Sequence, residues 1–140
     1  MKIELILFSL LLSFLLIGCS SKELTQKVDV RLHDIWALES IDGEAYKKAK
    51  TDISHPLIEI YVEESRAQGT TNCNTLNCKL EIEGDKILFV NISVTEMNCS
   101  GDIEKRFLSA LESITNYKIE KGRLFLSDDD KVRLIFIKID

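Results

Sequence analysis

The most constraining feature of the sequence is a series of short segments in which apolar and polar residues alternate. In the segment 57–63, Ile58, Ile60 and Val62 are each separated by one more polar residue. A period of two places all three on one face of a half-buried antiparallel strand. The segments are too short for long helices, so a mainly β fold is predicted. About seven strands are expected, over residues 33–41, 57–63, 79–83, 86–94, 117–120, 123–127 and 131–138.

Turn residues separate these segments. Gly84-Asp85 predicts a hairpin between two strands, and Asp42-Gly43 and Lys121-Gly122 predict two further turns. The polar stretches 45–54 and 68–77 are predicted as loops. The long second strand of the hairpin has four apolar residues on one face: Leu88, Val90, Ile92 and Val94.

One segment has the helical period instead. Ser100 or Asp102 is placed to cap this helix, which is expected to end near Asn116. With one helix among many strands, the predicted fold class is α+β and mainly β. We expect a curved antiparallel sheet or a partly closed β-barrel of about seven strands, with the amphipathic helix packed against it. The apolar face of the helix recurs at intervals of four, four and three residues: Ile103, Phe107, Leu111 and Ile114.

The N-terminal segment predicts a removable export signal. Residues 5–17 are almost entirely apolar and follow Lys2, and this run is shorter than the ~20 residues that a membrane-spanning helix needs. Leu16-Ile17-Gly18-Cys19 resembles the lipobox of bacterial lipoproteins, in which cleavage precedes the Cys and its thiol takes lipid. The resemblance implies that residues 1–18 are a signal peptide and that Cys19 is lipidated.

Domain boundaries and location follow from that interpretation. Residues 19–31 are predicted to be the lipidated Cys with a flexible tether, and residues 32–140 a single domain. Ser20 stands where many inner-membrane lipoproteins carry Asp, so the resemblance implies the outer membrane of a Gram-negative bacterium. The expected membrane contact is the lipid on Cys19.

Four segments of the domain carry a second resemblance. They are the opening strand and turn over 36–43, the stretch 69–74, the stretch 92–99, and the helix with its closing strands. Together, over about residues 32–138, they resemble the META domain family, whose bacterial members are the HslJ-like heat-shock lipoproteins. The positions that match the family motifs are Gly69, Cys73, Asn74, Thr95, Met97 and Cys99.

The resemblance implies a fold and a range of functions. The family fold is a conical, mostly antiparallel β-barrel with one helix. The family is associated with envelope stress and novobiocin tolerance, and no enzymatic activity is established for it. One departure is that Thr75-Leu76-Asn77-Cys78 follows the Cys-Asn pair, where family members usually carry Gly and an aromatic residue. The turn geometry at this spot is therefore open.

Three cysteines remain after Cys19 takes lipid. An exported domain is expected to contain a disulfide, and the residues alone leave Cys73–Cys78, the other pairs or no bridge open. Because Cys73 and Cys99 occupy the family-matched positions, the resemblance favours a Cys73–Cys99 bridge. Cys78 would then be a free thiol.

The sequence predicts no catalytic residues, metal site or cofactor. His33 and His55 are isolated from any candidate nucleophile, and the formal net charge of −5 argues against nucleic-acid binding. We therefore expect a non-enzymatic envelope lipoprotein that supports stress tolerance through an unknown envelope protein partner. One alternative is a carrier that holds a small apolar ligand in the barrel, and another is a thiol-redox protein that uses Cys73 and Cys78.

Overall fold

A computed structural model describes residues 28–129 and 131–139. The predicted signal peptide 1–18, the lipidation site Cys19 and most of the tether 19–31 lie outside the described residues. The described part begins with a short 3-10 helix, Val30–Leu32, and contains one α-helix, α1, at Ile103–Glu112. Nine strands complete it: β1 Ile35–Ile41, β2 Glu44–Ala45, β3 Leu57–Tyr61, β4 Arg66–Thr70, β5 Thr75–Glu83, β6 Lys86–Val94, β7 Asn116–Glu120, β8 Arg123–Asp128 and β9 Lys131–Ile139.

All nine strands belong to one antiparallel sheet that closes on itself. Neighbours along the chain pair from β3 to β9, β1 pairs with β3, and β1 also pairs with β9 through Ile35↔Ile139 to Ile41↔Leu134. β2 extends the end of β1 in a short hairpin. The prediction of a mainly β, curved antiparallel fold with one amphipathic helix is confirmed.

Backbone conformation at the turns agrees with the residues found there. Asp42 and Gly43 both have positive φ, and so do Lys121 and Gly122. Two successive positive φ angles match the right-handed twist of the flanking strands, and Gly adopts them without a Cβ penalty. Both predicted turns lie where the sequence placed them.

Side chains from the ring and from α1 fill the interior. Trp36 is 1% exposed and donates from Nε1 to the Leu32 carbonyl oxygen at 3.0 Å. Phe107 of α1 meets Phe136 of β9 edge to face, with ring centroids 6.2 Å apart. The helix packs against β1, β6 and β9. Burying these large side chains is the main favourable contribution to folding.

Two strands, β4 and β2, were not predicted. The stretch 68–77 was predicted as a loop, but β4 and the start of β5 occupy most of it. The inward residues of β4 are Ala67 and Gly69, which carry too little apolar surface to give an alternation signal. Strand β2 has only two residues, Glu44–Ala45, at the start of the predicted loop 45–54, and it gave still less signal.

The predicted apolar face of β6 is wrong in its first half. Ile87 and Phe89 point into the core, and Leu88 is 38% exposed. An extra residue in β6 shifts the register between Asn77↔Ser93 and Lys79↔Val90, and Asn91 there has a φ of 54°. This bulge returns the later residues of the strand to the core side, because two residues of β6 oppose one of β5.

The helix is shorter than predicted and is capped differently. It ends at Glu112 rather than near Asn116, although Ile114 beyond it is still buried. Asp102 occupies the N-cap position, but its side chain makes no capping hydrogen bond. Its backbone carbonyl accepts from the Arg106 N–H at 2.9 Å.

Candidate functional site

The family-motif residues after Gly69 converge at one end of the ring. Thr70↔Thr75 closes the β4–β5 turn, and the segment between β6 and α1 runs across that turn. We call the assembled set the motif cluster. Its members are Thr71, Cys73, Asn74, Thr95, Met97, Cys99 and Glu104.

Asn74 is the centre of the motif cluster. Its Oδ1 accepts from the Thr95 hydroxyl at 2.9 Å and from the Met97 backbone N–H at 2.8 Å. Its Nδ2 donates to both carboxylate oxygens of Glu104, at 2.9 and 3.0 Å, and to the Met97 carbonyl at 3.3 Å. Since the Asn74 residue is 2% exposed, this amide joins the β4–β5 turn, the end of β6 and α1.

Thr71 organises the turn itself. Its Oγ1 accepts from the backbone N–H groups of Cys73 and Asn74, at 3.1 and 2.7 Å, and also contacts the Glu104 carboxylate. The side chain therefore folds the turn and holds it against the first turn of the helix. Thr71 and Glu104 were missed by sequence reasoning. An acidic residue in the first helical turn, five positions after the motif residue Cys99, was the available signal for Glu104.

A disulfide joins the same two segments covalently. Cys73 in the turn is bonded to Cys99 before α1, with a Cα–Cα distance of 6.2 Å. The predicted Cys73–Cys99 pairing is confirmed. The two segments lie 26 residues apart in sequence, so the bridge adds a long-range constraint to the hydrogen bonds of Asn74.

Gly69 has a steric role. A Cβ at this position would lie 2.0 Å from the Leu57 carbonyl oxygen and 3.0 Å from the Ile58 Cα on β3. No side-chain movement relieves a clash with backbone atoms. The motif glycine is required because β3 and β4 approach too closely here for any larger residue.

A second polar group lies beside the motif cluster. The Asp52 carboxylate accepts from the Asn72 side chain at 2.8 Å, from the Ala49 N–H at 2.8 Å and from the Tyr46 hydroxyl at 2.9 Å. The Asn72 hydrogen bond is the main reason that the pKa of Asp52 lies below its ordinary value. Burial and the hydrogen bond to Asp52 raise the pKa of Tyr46. These groups fix the long loop before β3 against the turn.

Cys78 lies apart from the disulfide. It is 7% exposed in β5, with its Sγ 3.8 Å from the Ala67 carbonyl oxygen. Burial raises its pKa to about 11, so the thiol stays protonated at neutral pH. Because Cys73 is bonded to Cys99, its sulfur is not available to Cys78 in the way that the thiol-redox alternative requires.

The two histidines are held in separate places. His55 Nε2 lies 2.9 Å from the Leu38 carbonyl oxygen, and its ring packs edge-on against Tyr46. His33 packs edge-on against Tyr61. Within residues 28–129 and 131–139, no group of three His, Cys, Asp or Glu side chains is placed to hold a metal ion. No helix in those same ranges has the length and apolar character to cross a bilayer.

The polar groups of the motif cluster hold separate segments of the chain together. The Thr71 hydroxyl is completely buried, and the polar atoms of Asn74 are engaged by neighbouring protein groups.

Comparison with known proteins identifies relatives. A family model described as the META domain matches residues 28–140. No curated protein sequence matches the chain. Among solved structures, a protein from Burkholderia xenovorans determined by NMR is 23% identical, with a TM-score of 0.59, and the match covers 79% of this chain and 86% of that one.

Two further solved structures share the fold. A second NMR structure is 18% identical with a TM-score of 0.59, and the match covers 76% of this chain and 90% of that one. The crystal structure of a DUF4847 family protein from Bacteroides vulgatus is 15% identical with a TM-score of 0.55, covering 78% and 96%. At these identities the similarity extends to the fold alone.

Proposed function

The chain belongs to the META domain family, and from that premise we propose that it is a non-catalytic, lipid-anchored protein of the cell envelope. In this proposal it is of the HslJ-like type, with Cys19 as the lipidated residue and the outer membrane as its location. It supports tolerance to heat or antibiotic stress by contacting an envelope protein.

The observation that carries the proposal is the Cys73–Cys99 disulfide. Structural disulfides persist in exported proteins and are rare in reducing compartments. An export signal that ends in Gly18-Cys19 supplies a route to such a compartment. The disulfide and the signal are independent features, and both support an envelope location.

The motif cluster supports a role without catalysis. The residues by which the family is recognised are engaged with one another, through the Asn74 amide, the Thr71 hydroxyl and the disulfide. A domain whose motif is used to hold its own fold acts through its surface. We therefore place the function in contacts with other envelope components.

The carrier alternative receives less support. It requires an unfilled apolar space inside the ring, whereas Trp36, Phe107 and Phe136 are buried there and pack together with aliphatic side chains. Two depressions of about 710 and 660 Å³ border β5 and β6, and charged residues such as Lys79 and Lys86 line them. Sites for small apolar ligands are lined mainly by apolar and aromatic groups.

Replacing the anchor residue tests the proposal. We expect Cys19→Ala to leave the protein soluble after cell fractionation, and Ser20→Ala, the matched neighbour, to leave it in the outer-membrane fraction. Mass spectrometry of the wild-type protein should show acyl chains on residue 19. In a deletion strain, wild type and Ser20→Ala should restore growth under heat or novobiocin, and Cys19→Ala should not.

Two results would count against the proposal. An unmodified Cys19 in protein purified from its own envelope would remove the lipid anchor. Equal rescue by Cys19→Ala and wild type would show that the envelope location is irrelevant to stress tolerance. Cross-linking of the intact lipoprotein in its envelope, compared with Cys19→Ala, is expected to capture a partner only when the anchor is present.

A further inference from the structure

The end of the ring opposite the motif cluster exposes large aliphatic side chains. The paired strands β3 and β4 extend from Leu57 and Thr70, at the motif end, to Tyr61 and Arg66 at the opposite end of the ring. Strand β1 begins at this opposite end, beside Ile60. We call the aliphatic group at this second end the tether-end surface. Its members are Val30, Ile35, Ile137 and Ile139, of which Val30 is 71% exposed, Ile137 41% and Ile139 38%.

These residues form one continuous surface. Ile35 and Ile139 are directly paired across β1 and β9. A depression of about 290 Å³ is lined by Ile35, Ile139 and His33 together with Asp34 and Glu59. A second depression is lined by His33 and Val30 together with Val62 and Glu63. His33 thus connects the aliphatic side chains of the sheet with the exposed valine of the 3-10 helix.

Three ion pairs lie around the tether-end surface. Lys138 Nζ lies 2.7 Å from Asp34 Oδ2, and Arg123 Nε lies 2.7 Å from Glu39 Oε2. Arg31 on the 3-10 helix is paired with its neighbour Asp29 at 2.6 Å. Each pair neutralises its own charge, whereas Glu59 and Glu63, which line the depressions beside the surface, belong to none of these three pairs. Contact with a charged partner would require these pairs to separate.

The position of the chain's N-terminal part identifies the occupant. The described residues enter the fold at Val28, next to the 3-10 helix that carries Val30. Nine residues, Ser20 to Val28, lead from Cys19 to that point. A fully extended chain of nine residues reaches about 32 Å at most, so Val28, beside the 3-10 helix of the tether-end surface, stays within that distance of an anchored lipid. This confinement gives a weak apolar contact a high effective concentration.

We infer that the tether-end surface rests on the lipid bilayer, with its aliphatic side chains at the level of the headgroups. The inference depends on the proposed lipid anchor at Cys19. It orients the domain, because the motif end then faces away from the membrane. Aliphatic side chains that enter the boundary between headgroups and acyl chains are a known mode of peripheral binding.

Tryptophan fluorescence on the full lipidated chain tests this orientation. Ile137→Trp places a reporter on the tether-end surface, and Val132→Trp places one near the opposite end of the same strand, β9. Val132 is a matched control because its exposure of 39% is close to the 41% of Ile137. Each variant is bound to phosphatidylcholine vesicles with or without brominated acyl chains, which quench tryptophan at short range. Native Trp36 is common to both variants and is subtracted with the wild-type signal.

The expected result is quenching of the Ile137→Trp signal about twofold or more above that of Val132→Trp, with a blue shift of its emission. Ile139→Trp is expected to repeat it. Vesicle flotation distinguishes a failure of the lipid anchor from a failure of the proposed orientation. Protein that floats but is quenched equally in both variants overturns the orientation alone. Protein that does not float overturns the anchor and the orientation together. A blue shift without quenching, as a second copy of the chain would give, also overturns the inference.

Discussion

The two ends of the ring are held by different kinds of interaction. At the motif end, a disulfide and the buried Asn74 amide join three segments that are far apart in sequence. At the other end, exposed aliphatic side chains lie among ion pairs such as Asp34–Lys138. Buried hydrogen bonds and disulfides each contribute on the order of kilocalories per mole to the free energy of unfolding, whereas exposed ion pairs contribute little. The comparison implies that stability is concentrated at the motif end and that the tether end is available for contact.

Removing the disulfide is expected to have the largest effect. Cys99→Ser should lower the free energy of unfolding by about 3 kcal/mol, because the unfolded chain regains the entropy of an open loop. Urea unfolding measures this loss. The control is Cys78→Ala, which truncates a buried thiol without opening a bridge and should cost about 1 kcal/mol. Equal losses in the two variants would contradict the prediction that the disulfide stabilises the motif end.

The close approach of β3 and β4 gives the next effect. Gly69→Ala places a Cβ 2.0 Å from the Leu57 carbonyl oxygen, and separating the strands should cost about 2 kcal/mol or more. Gln68→Ala, on the outer face of the same strand, is the control and should cost far less. A stable Gly69→Ala variant with an unchanged midpoint in urea would show that the two strands can separate freely.

More of the fold than of the candidate site could be predicted from the sequence. Strict alternation in 57–63 and the helical spacing of Phe107 and Leu111 were sufficient for a mainly β domain with one helix. β4 escaped notice because Ala67 and Gly69 supply steric fit rather than apolar surface. The bulge at Asn91 could not be predicted from the local pattern either, because it depends on how β6 pairs with β5. Such tertiary effects override the local pattern.

The candidate site shows the same division. Cys73 and Cys99 could be paired through the family resemblance, and Asn74 could be named as a motif position. The role of Asn74 depends on Glu104, which lies 30 residues away in sequence. At the tether end, the run Leu134-Ile135-Phe136-Ile137 is apolar at successive positions. That run was a signal for an outward apolar face, because one face of a half-buried strand is ordinarily polar.

Truncating Asn74 tests the hydrogen-bonded part of the motif end. Asn74→Ala removes the hydrogen bonds that the side-chain amide makes with the Met97 N–H and with the Glu104 carboxylate, which should cost about 2 kcal/mol. The matched control is Asn77→Ala, an exposed position on β5 that should change stability by less than about 0.5 kcal/mol. If both variants unfold at the same urea concentration, the Asn74 network adds nothing to the disulfide.

Stability at the motif end should also depend on acid pH. The pKa of Asp52 is lower in the folded protein, so its contribution is present above the ordinary carboxyl pKa of about 3.9 and is lost as pH falls through the folded value. Urea unfolding of wild type and Asp52→Asn across this range should therefore show a difference that shrinks toward low pH. A difference that is constant with pH would mean that the charge of Asp52 is not involved.

The smallest effect is expected at the tether end, from Asp34→Asn. The substitution keeps an oxygen that can accept from the Ile35 N–H, as Asp34 Oδ1 does at 2.9 Å, and removes the charge paired with Lys138. The Lys138 side chain is 46% exposed, so water and salt screen the pair, and the loss should be at most about 0.5 kcal/mol. Urea unfolding should show this small loss disappearing in about 1 M salt, where screening acts within a few ångströms. A loss near the 2 kcal/mol expected for Asn74→Ala would mean that interactions at the two ends contribute equally to the free energy of unfolding. The motif end would then be no more stable than the tether end.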